Sequence, residues 1–288
     1  MVPLFVLLSR EAADTFSLVL SSAGIGNRVI RENNRYRIDV PESRVDAAIN
    51  AVRRYQAENP AIEEDAPVSP QTHLPNNFSG IAVAVGLLIV HLSVMSSIAP
   101  EDYISVFGAN ARRILHGEAY RSATALVLHA DAAHLAGNMV AIALFGSVVC
   151  AMTGTGVGWL MALACGIIGN LVNAVAHETG HISIGASTAV FGLVGILCAI
   201  RAVNAMRSGR GWKAVLVAFG AGVALLAFLG AGARSDLGAH LFGFFSGLVM
   251  GGAYQLWVPS PAGRKGQVLC SVIAGSLLLA AWIQGAHT

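Results

Sequence analysis

Two spacings of apolar positions divide this chain. Through residue 60 the apolar positions recur at the short periods of soluble structure, whereas from Phe78 onward they merge into long uncharged runs. The first stretch, VPLFVLL at 2–8, reads as a buried strand, and Ser9 stands where a helix from Arg10 to about Ala23 needs its cap, with Gly24 as the stop. Arg28–Ile30 and Arg35–Val40 are strand-like around the turn signal Asn33-Asn34, and Pro41 closes the hairpin. Val45, Ala48, Ile49, Val52 and Tyr55 then follow at helical spacing, which keeps Arg53, Arg54 and Glu58 on a wet face. The pattern predicts a small soluble βαββα domain over 1–60, followed at 61–77 by a Pro-rich acidic linker that carries Pro67, Pro70, Pro75 and Glu63-Glu64-Asp65. The domain shows no Gly-rich phosphate loop and no metal-spaced His or Cys, so a regulatory or packing role is expected of it.

Beyond the linker, seven apolar runs are expected to form helices at 78–99, 132–153, 156–177, 186–206, 213–232, 238–258 and 267–285, each near the length that crosses a bilayer core. Composition agrees: 55% of the residues are hydrophobic and 12% charged, against roughly 25% charged in soluble chains. The fold class expected is therefore a polytopic α-helical membrane protein, preceded by the small soluble domain. Residues 1–78 hold eight Arg and ten acids, while the other 210 hold ten Lys/Arg and six acids. Arg201, Arg207, Arg210, Lys213, Arg264 and Lys265 all fall in loops on one side, and only Arg112, Arg113, Arg121 and Arg234 on the other. By the Lys/Arg bias the N-terminus is expected to be cytoplasmic and the C-terminus external, in the cell (inner) membrane. The mixed external segment 101–130 is expected to lie in the membrane interface.

A net charge of +2 with no basic stripe gives no case for nucleic acid. Cys150, Cys165, Cys198 and Cys270 fall in apolar runs without CxxC spacing and read as small buried residues. Met1–Leu8 is too short for the apolar core of a signal peptide with a cleavage site, so no cleaved leader is expected. The partner implied is the lipid bilayer, and nothing in the sequence speaks to oligomeric state.

Chemistry enters at GASTAVFGLVG, residues 185–195, where loop-like sequence turns into an apolar helix and places Ser187 at its mouth. Small residues here also serve close helix packing, so the serine alone decides nothing. Three expected spans, however, begin near the same face, and their starts carry His134 with Asn138, Ser187, and His240. Polar groups inside membrane helices are costly and usually functional. A serine hydroxyl needs a base to take its proton, and His240 is the one imidazole within a later span. An oxyanion needs donors, which His134 and Asn138, four apart on one helix face, can supply.

These residues resemble the rhomboid family of intramembrane serine proteases over Gly117 to Gly251. GEAYRSATALVLHADAAHLAGNM (117–139) is similar to the family's first-loop aromatic-Arg pair with its histidines and Asn, GASTAVFG to its GxSG element, and AHLFGFFSG to its AHxxGxxxG element. The resemblance implies a rhomboid-like core at 78–258 with an additional C-terminal transmembrane helix in 259–288. It also implies cleavage of transmembrane substrates near the external face through an acyl-enzyme, without metal or cofactor. Ser187 would be the nucleophile, His240 the base and acid, and His134, Asn138 and the Ser187 N–H the oxyanion donors. His129, Arg121, Gly185 and Phe191 would be supporting residues, with Phe191 against the imidazole. Thr188 stands where the family usually has Gly, which is expected to narrow the entrance or restrict the substrate, and Tyr120 replaces a Trp.

A competing motif is His177-Glu178-Thr179-Gly180-His181, a literal HExxH of zinc proteases. That chemistry needs both histidines one turn apart on a continuous helix, with a third ligand, for which Asp236 is the one candidate. Two non-proteolytic readings also fit a polytopic chain of this kind: a catalytically inactive rhomboid-fold chaperone, and a transporter.

Overall fold

In the computed structural model, which describes residues 1–32, 35–59, 77–177, 181–208, 211–230 and 236–288, the chain divides into two units, Met1–Thr72 and His73–Thr288. Within the first, β1 (Val2–Leu8) leads into α1 (Arg10–Ser22), which the Ser9 hydroxyl caps by accepting the Ala12 N–H at 3.1 Å. Then come β2 (Arg28–Glu32), β3 (Arg35–Val40) and α2 (Val45–Glu58). The sheet is antiparallel in the order β1-β3-β2, with Val2 opposite Val40 and Arg28 opposite Asp39. Alternation along β3 sends Ile38 and Val40 into a core with Ala13 and Leu20 of α1 and Ala48, Ala51 and Val52 of α2. The expected turn pair Asn33-Asn34 and all of the expected linker but Asn77 lie outside the described residues.

The second unit is a helical bundle. α3 (Ser79–Met95) is followed across a 119° bend by α4 (Pro100–Phe107), and the short β4 (Ala109–Asn110), α5 (Ala111–Leu115) and α6 (Arg121–Thr124) complete the segment before the second span. That span comprises α7 (Ala132–Ala141), a π-helical turn (Ile142–Gly146) and α8 (Ser147–Thr153). α9 (Thr155–His177), β5 (Ile182–Ser183), α10 (Ser187–Arg207), α11 (Gly211–Gly230), α12 (Leu237–Trp257) and α13 (Arg264–Ala286) follow. Among the described residues five helices are individually long and apolar enough to span a membrane, and six if the bent α3–α4 pair is one span. The fifth expected run, 213–232, is helical as α11 over its described residues, 213–230. The chain is thus a multi-pass integral membrane protein.

α10 is the centre: most of its residues are buried, whereas α13 is largely exposed along its length. It packs on α12 along a seam of small residues. A side chain at Gly247 would strike the Gly192 backbone, one at Gly195 the Phe244 carbonyl, and one at Gly251 would begin 2.7 Å from Ile196 Cα. Lipid offers no hydrophobic drive between helices, so close backbone contact of this kind is what holds them together.

In the segment 101–130, Arg121, Glu118 and Thr124 find their partners within the segment itself. The buried Arg121 guanidinium donates to Glu118 Oε2 at 2.6 Å and to the carbonyls of Ser105 and Gly108 at 2.8 and 3.2 Å. Burial pushes the Glu118 carboxyl up, but the bond and charge of Arg121 outweigh it and hold the group below its ordinary range. Thr124 donates to the Phe107 carbonyl at 2.7 Å. β4 pairs with β5, joining this segment to the loop before α10.

Candidate active site

α10 begins at Ser187, so its first-turn N–H groups lack intrahelical acceptors; the Val190 N–H is the first to find one, the Ala186 carbonyl at 2.9 Å. The turn into the helix requires a glycine at 185. Its φ is +123°, and a side chain there would begin 2.7 Å from the His134 ring and 3.6 Å from Ser187 Oγ. The His134 imidazole and the Ser187 hydroxyl therefore flank the same point. Gly185 N–H donates to the Ala125 carbonyl at 2.9 Å, which pins this turn to the end of the first-loop segment.

Ser187 Oγ and His240 Nε2 are 2.8 Å apart, joining α10 to α12. His240 is buried, one turn into α12, and the Phe191 ring lies 4.7 Å from its imidazole, centroid to centroid, at an interplanar angle of 36°. His134 is on the first turn of α7, whose cap is Asp131: its carboxylate accepts the His134 N–H at 2.8 Å. Asn138 is buried one turn on, and its amide donates to the His134 carbonyl at 3.0 Å, leaving a second N–H on the same nitrogen. His129 is buried with its ring 5.2 Å from that of His134, and the Ala186 N–H approaches its Nε2 at 3.4 Å. Burial, with His134 and His91 nearby, pushes the His129 imidazole down to about 4. It is therefore a neutral acceptor near neutral pH. The structure thus brings Ser187, His240, His134, Gly185, Phe191 and His129 together, with Asn138 one turn behind His134. Arg121 is further out, buried in the first-loop segment.

Asp236, four residues before His240, is turned elsewhere. Its Oδ1 accepts the Ala239 N–H at 3.0 Å as the cap of α12, and its Oδ2 accepts from Asn173 Nδ2 and His181 Nε2, both at 2.7 Å. Burial pushes this carboxyl up, but the Ala239 N–H and His181 outweigh it and hold the group below the usual carboxylate range. The same geometry bears on the HExxH. His181 lies outside any helix, just before β5, so it is not on a continuous helix with His177; the two rings instead stack at 4.9 Å, and Glu178 lies outside the described residues. Among the described residues no three His, Cys, Asp or Glu side chains converge as metal ligands.

Thr188, next to the nucleophile, turns its side chain inward. It is buried, its hydroxyl donates to Asn170 Oδ1 at 3.0 Å, and Asn170 Nδ2 donates to the Ser122 carbonyl at 2.9 Å. Neither Asn170 nor Asn173 stands out in the sequence as a candidate for chemistry, although two Asn three residues apart in the apolar run 156–177 are a legible signal of buried polar partners.

Comparison with known proteins agrees with this architecture. The family model described as "Rhomboid domain" matches residues 116–256. The chain is 29% identical over 137 residues to the candidate rhomboid protease YdcA of Bacillus subtilis (strain 168), covering 48% of this chain and 68% of that one. It is 30% identical over 190 residues to Rhomboid-like protease 2 of Toxoplasma gondii (63% of each), and 27% over 218 residues to Rhomboid protease GluP of Bacillus subtilis (strain 168), 73% of this chain and 41% of that one. The matches thus span between 41% and 68% of the relatives' own lengths. With the domain match falling on the helices that carry Ser187 and His240, the chain belongs to the rhomboid family of intramembrane proteases.

Proposed function

We propose that this chain is a serine endopeptidase that cuts transmembrane segments near the external membrane face, using Ser187 and His240 as a dyad. The observation that carries the reading is the 2.8 Å contact between Ser187 Oγ and His240 Nε2 across two helices. Nε2 takes the hydroxyl proton as Oγ attacks the scissile carbonyl, then gives that proton to the leaving amine, and an acyl-enzyme remains. Water attacks the ester while Nε2 takes its proton, which passes to Ser187 Oγ as the acid product departs. The His134 ring, the free second N–H of Asn138 and the N–H groups that open α10 are the donors for the oxyanion. Asp236 acts on α12 and its neighbours, not as the third member of a triad. The same reading places the N-terminus in the cytoplasm, following the Lys/Arg bias.

The test is the purified full chain in detergent, given a model transmembrane substrate. Ser187→Ala and His240→Ala are each expected to remove cleavage, with the double variant little worse than either single one because the two act as a unit. A fluorophosphonate is expected to label Ser187, and o-phenanthroline to leave cleavage intact. Substantial cleavage by Ser187→Ala overturns the nucleophile assignment; chelator inhibition reversed by zinc favours the HExxH instead; a folded wild type that neither cleaves nor is labelled is the inactive member of the family.

A further inference from the structure

The residue after the nucleophile is a threonine, and its two branches meet two different helices. Its hydroxyl donates to Asn170 Oδ1 on α9 at 3.0 Å, and Asn170 passes the connection to the Ser122 carbonyl on α6 at 2.9 Å. All three residues are buried, with Thr188 2% and Asn170 3% exposed, so neither bond competes with bulk water. The methyl branch occupies a notch between two glycines: a side chain at Gly169 would begin 2.5 Å, and one at Gly243 3.1 Å, from Thr188 Cγ2. Gly243 lies one turn after His240 on α12. The first turn of α10 is therefore tied to α9 by a hydrogen bond and set against α12 by a methyl, and Ser187 and His240 stand on either side of that contact.

We infer that Thr188 is a positioning residue for the catalytic pair: its hydrogen bond to Asn170 and its methyl against Gly243 hold Ser187 Oγ within reach of His240 Nε2. A glycine at 188 has no hydroxyl to give Asn170 and leaves the notch between Gly169 and Gly243 unfilled. The inference rests on the serine-dyad reading and deepens it. Thr188→Val keeps the shape and removes the hydroxyl, Asn170→Ala removes the same bond from its other end, and Thr188→Ser keeps the hydroxyl.

The experiment measures, on the detergent-solubilised full chain, the rate constant for fluorophosphonate labelling of Ser187, kcat and KM on a transmembrane substrate, and the thermal midpoint. Thr188→Val and Asn170→Ala are each expected to lower labelling and kcat by about tenfold or more with KM unchanged, as small misplacements of reacting groups do. Their double variant should be no worse than the weaker single, and Thr188→Ser should recover most of the loss. If Thr188→Val does not fold, Asn170→Ala reads the same bond. Labelling within about twofold of wild type in Thr188→Val, or in Asn170→Ala where the first does not fold, overturns the inference, whatever the thermal midpoint does. A wild type in which Ser187 is never labelled defeats the underlying dyad reading instead.

Discussion

Asp236 shows how far one carboxylate's role depends on which donors reach it first. Four residues before His240, it is placed in the sequence to orient the imidazole, yet its oxygens accept from Ala239, Asn173 and His181. Asp236→Asn is therefore expected to lower kcat by less than roughly tenfold, far from the ~10⁴ lost with the aspartate of a soluble triad. A loss of three orders of magnitude or more in a steady-state assay would make the site a triad. The same carboxylate carries a pH dependence. Its value is depressed in the folded state, so the stability it contributes is full above its unfolded value of about 3.9 and is lost as pH falls through the lower folded value. Thermal midpoints of the wild type should thus fall more steeply below about pH 4 than those of Asp236→Asn.

Between elements, the governing contact is α10 against α12, where backbone meets backbone. Two adjacent glycines on α12 offer a controlled comparison. A side chain at Gly251 would begin 2.7 Å from Ile196 Cα and carbonyl oxygen, whereas one at Gly252 meets nothing within 4 Å. Gly251→Ala should push the helices apart and destabilise the bundle by about 1–3 kcal/mol, as overpacking does. Gly252→Ala should be neutral or stabilising by up to about 1 kcal/mol, because alanine is the better helix residue. Denaturation in mixed detergent micelles distinguishes them, and equal midpoints would mean that this seam is looser than its geometry. Cleavage should fall with Gly251→Ala alone, since the seam also sets the spacing of Ser187 from His240.

At the scale of the molecule, the two units have separate cores: the first packs Leu20, Ile38 and Val52 together, and the second closes around α10. A chain consisting of residues 73–288 is accordingly expected to fold and to keep fluorophosphonate labelling of Ser187 within a few-fold of the full chain. Labelling abolished by the truncation, with helicity intact by circular dichroism, would give the first unit a direct part in activity.

Much of this was legible from residues alone. Long uncharged apolar runs satisfy their backbone in lipid only as helices, and the apolar positions of 2–8 and 35–40 have one face to bury, so spans and strands follow from local pattern. The serine and histidines stood out because polar groups are rare in such runs. Local pattern is blind to which donors arrive from other helices. The position of Thr188 beside the nucleophile is legible, but its bond to Asn170 and its place between Gly169 and Gly243 are not. In the segment 101–130, Arg121 is met by Glu118 and by two carbonyls of the same segment, pairings that the apolar pattern does not name. His177 and His181 stand at one-turn spacing, but His181 lies outside any helix. Periodicity along the chain determines which segments become helices and which faces they bury. The partner of each buried polar group is determined by the close crossing of helices far apart in sequence, and only the folded bundle contains that information.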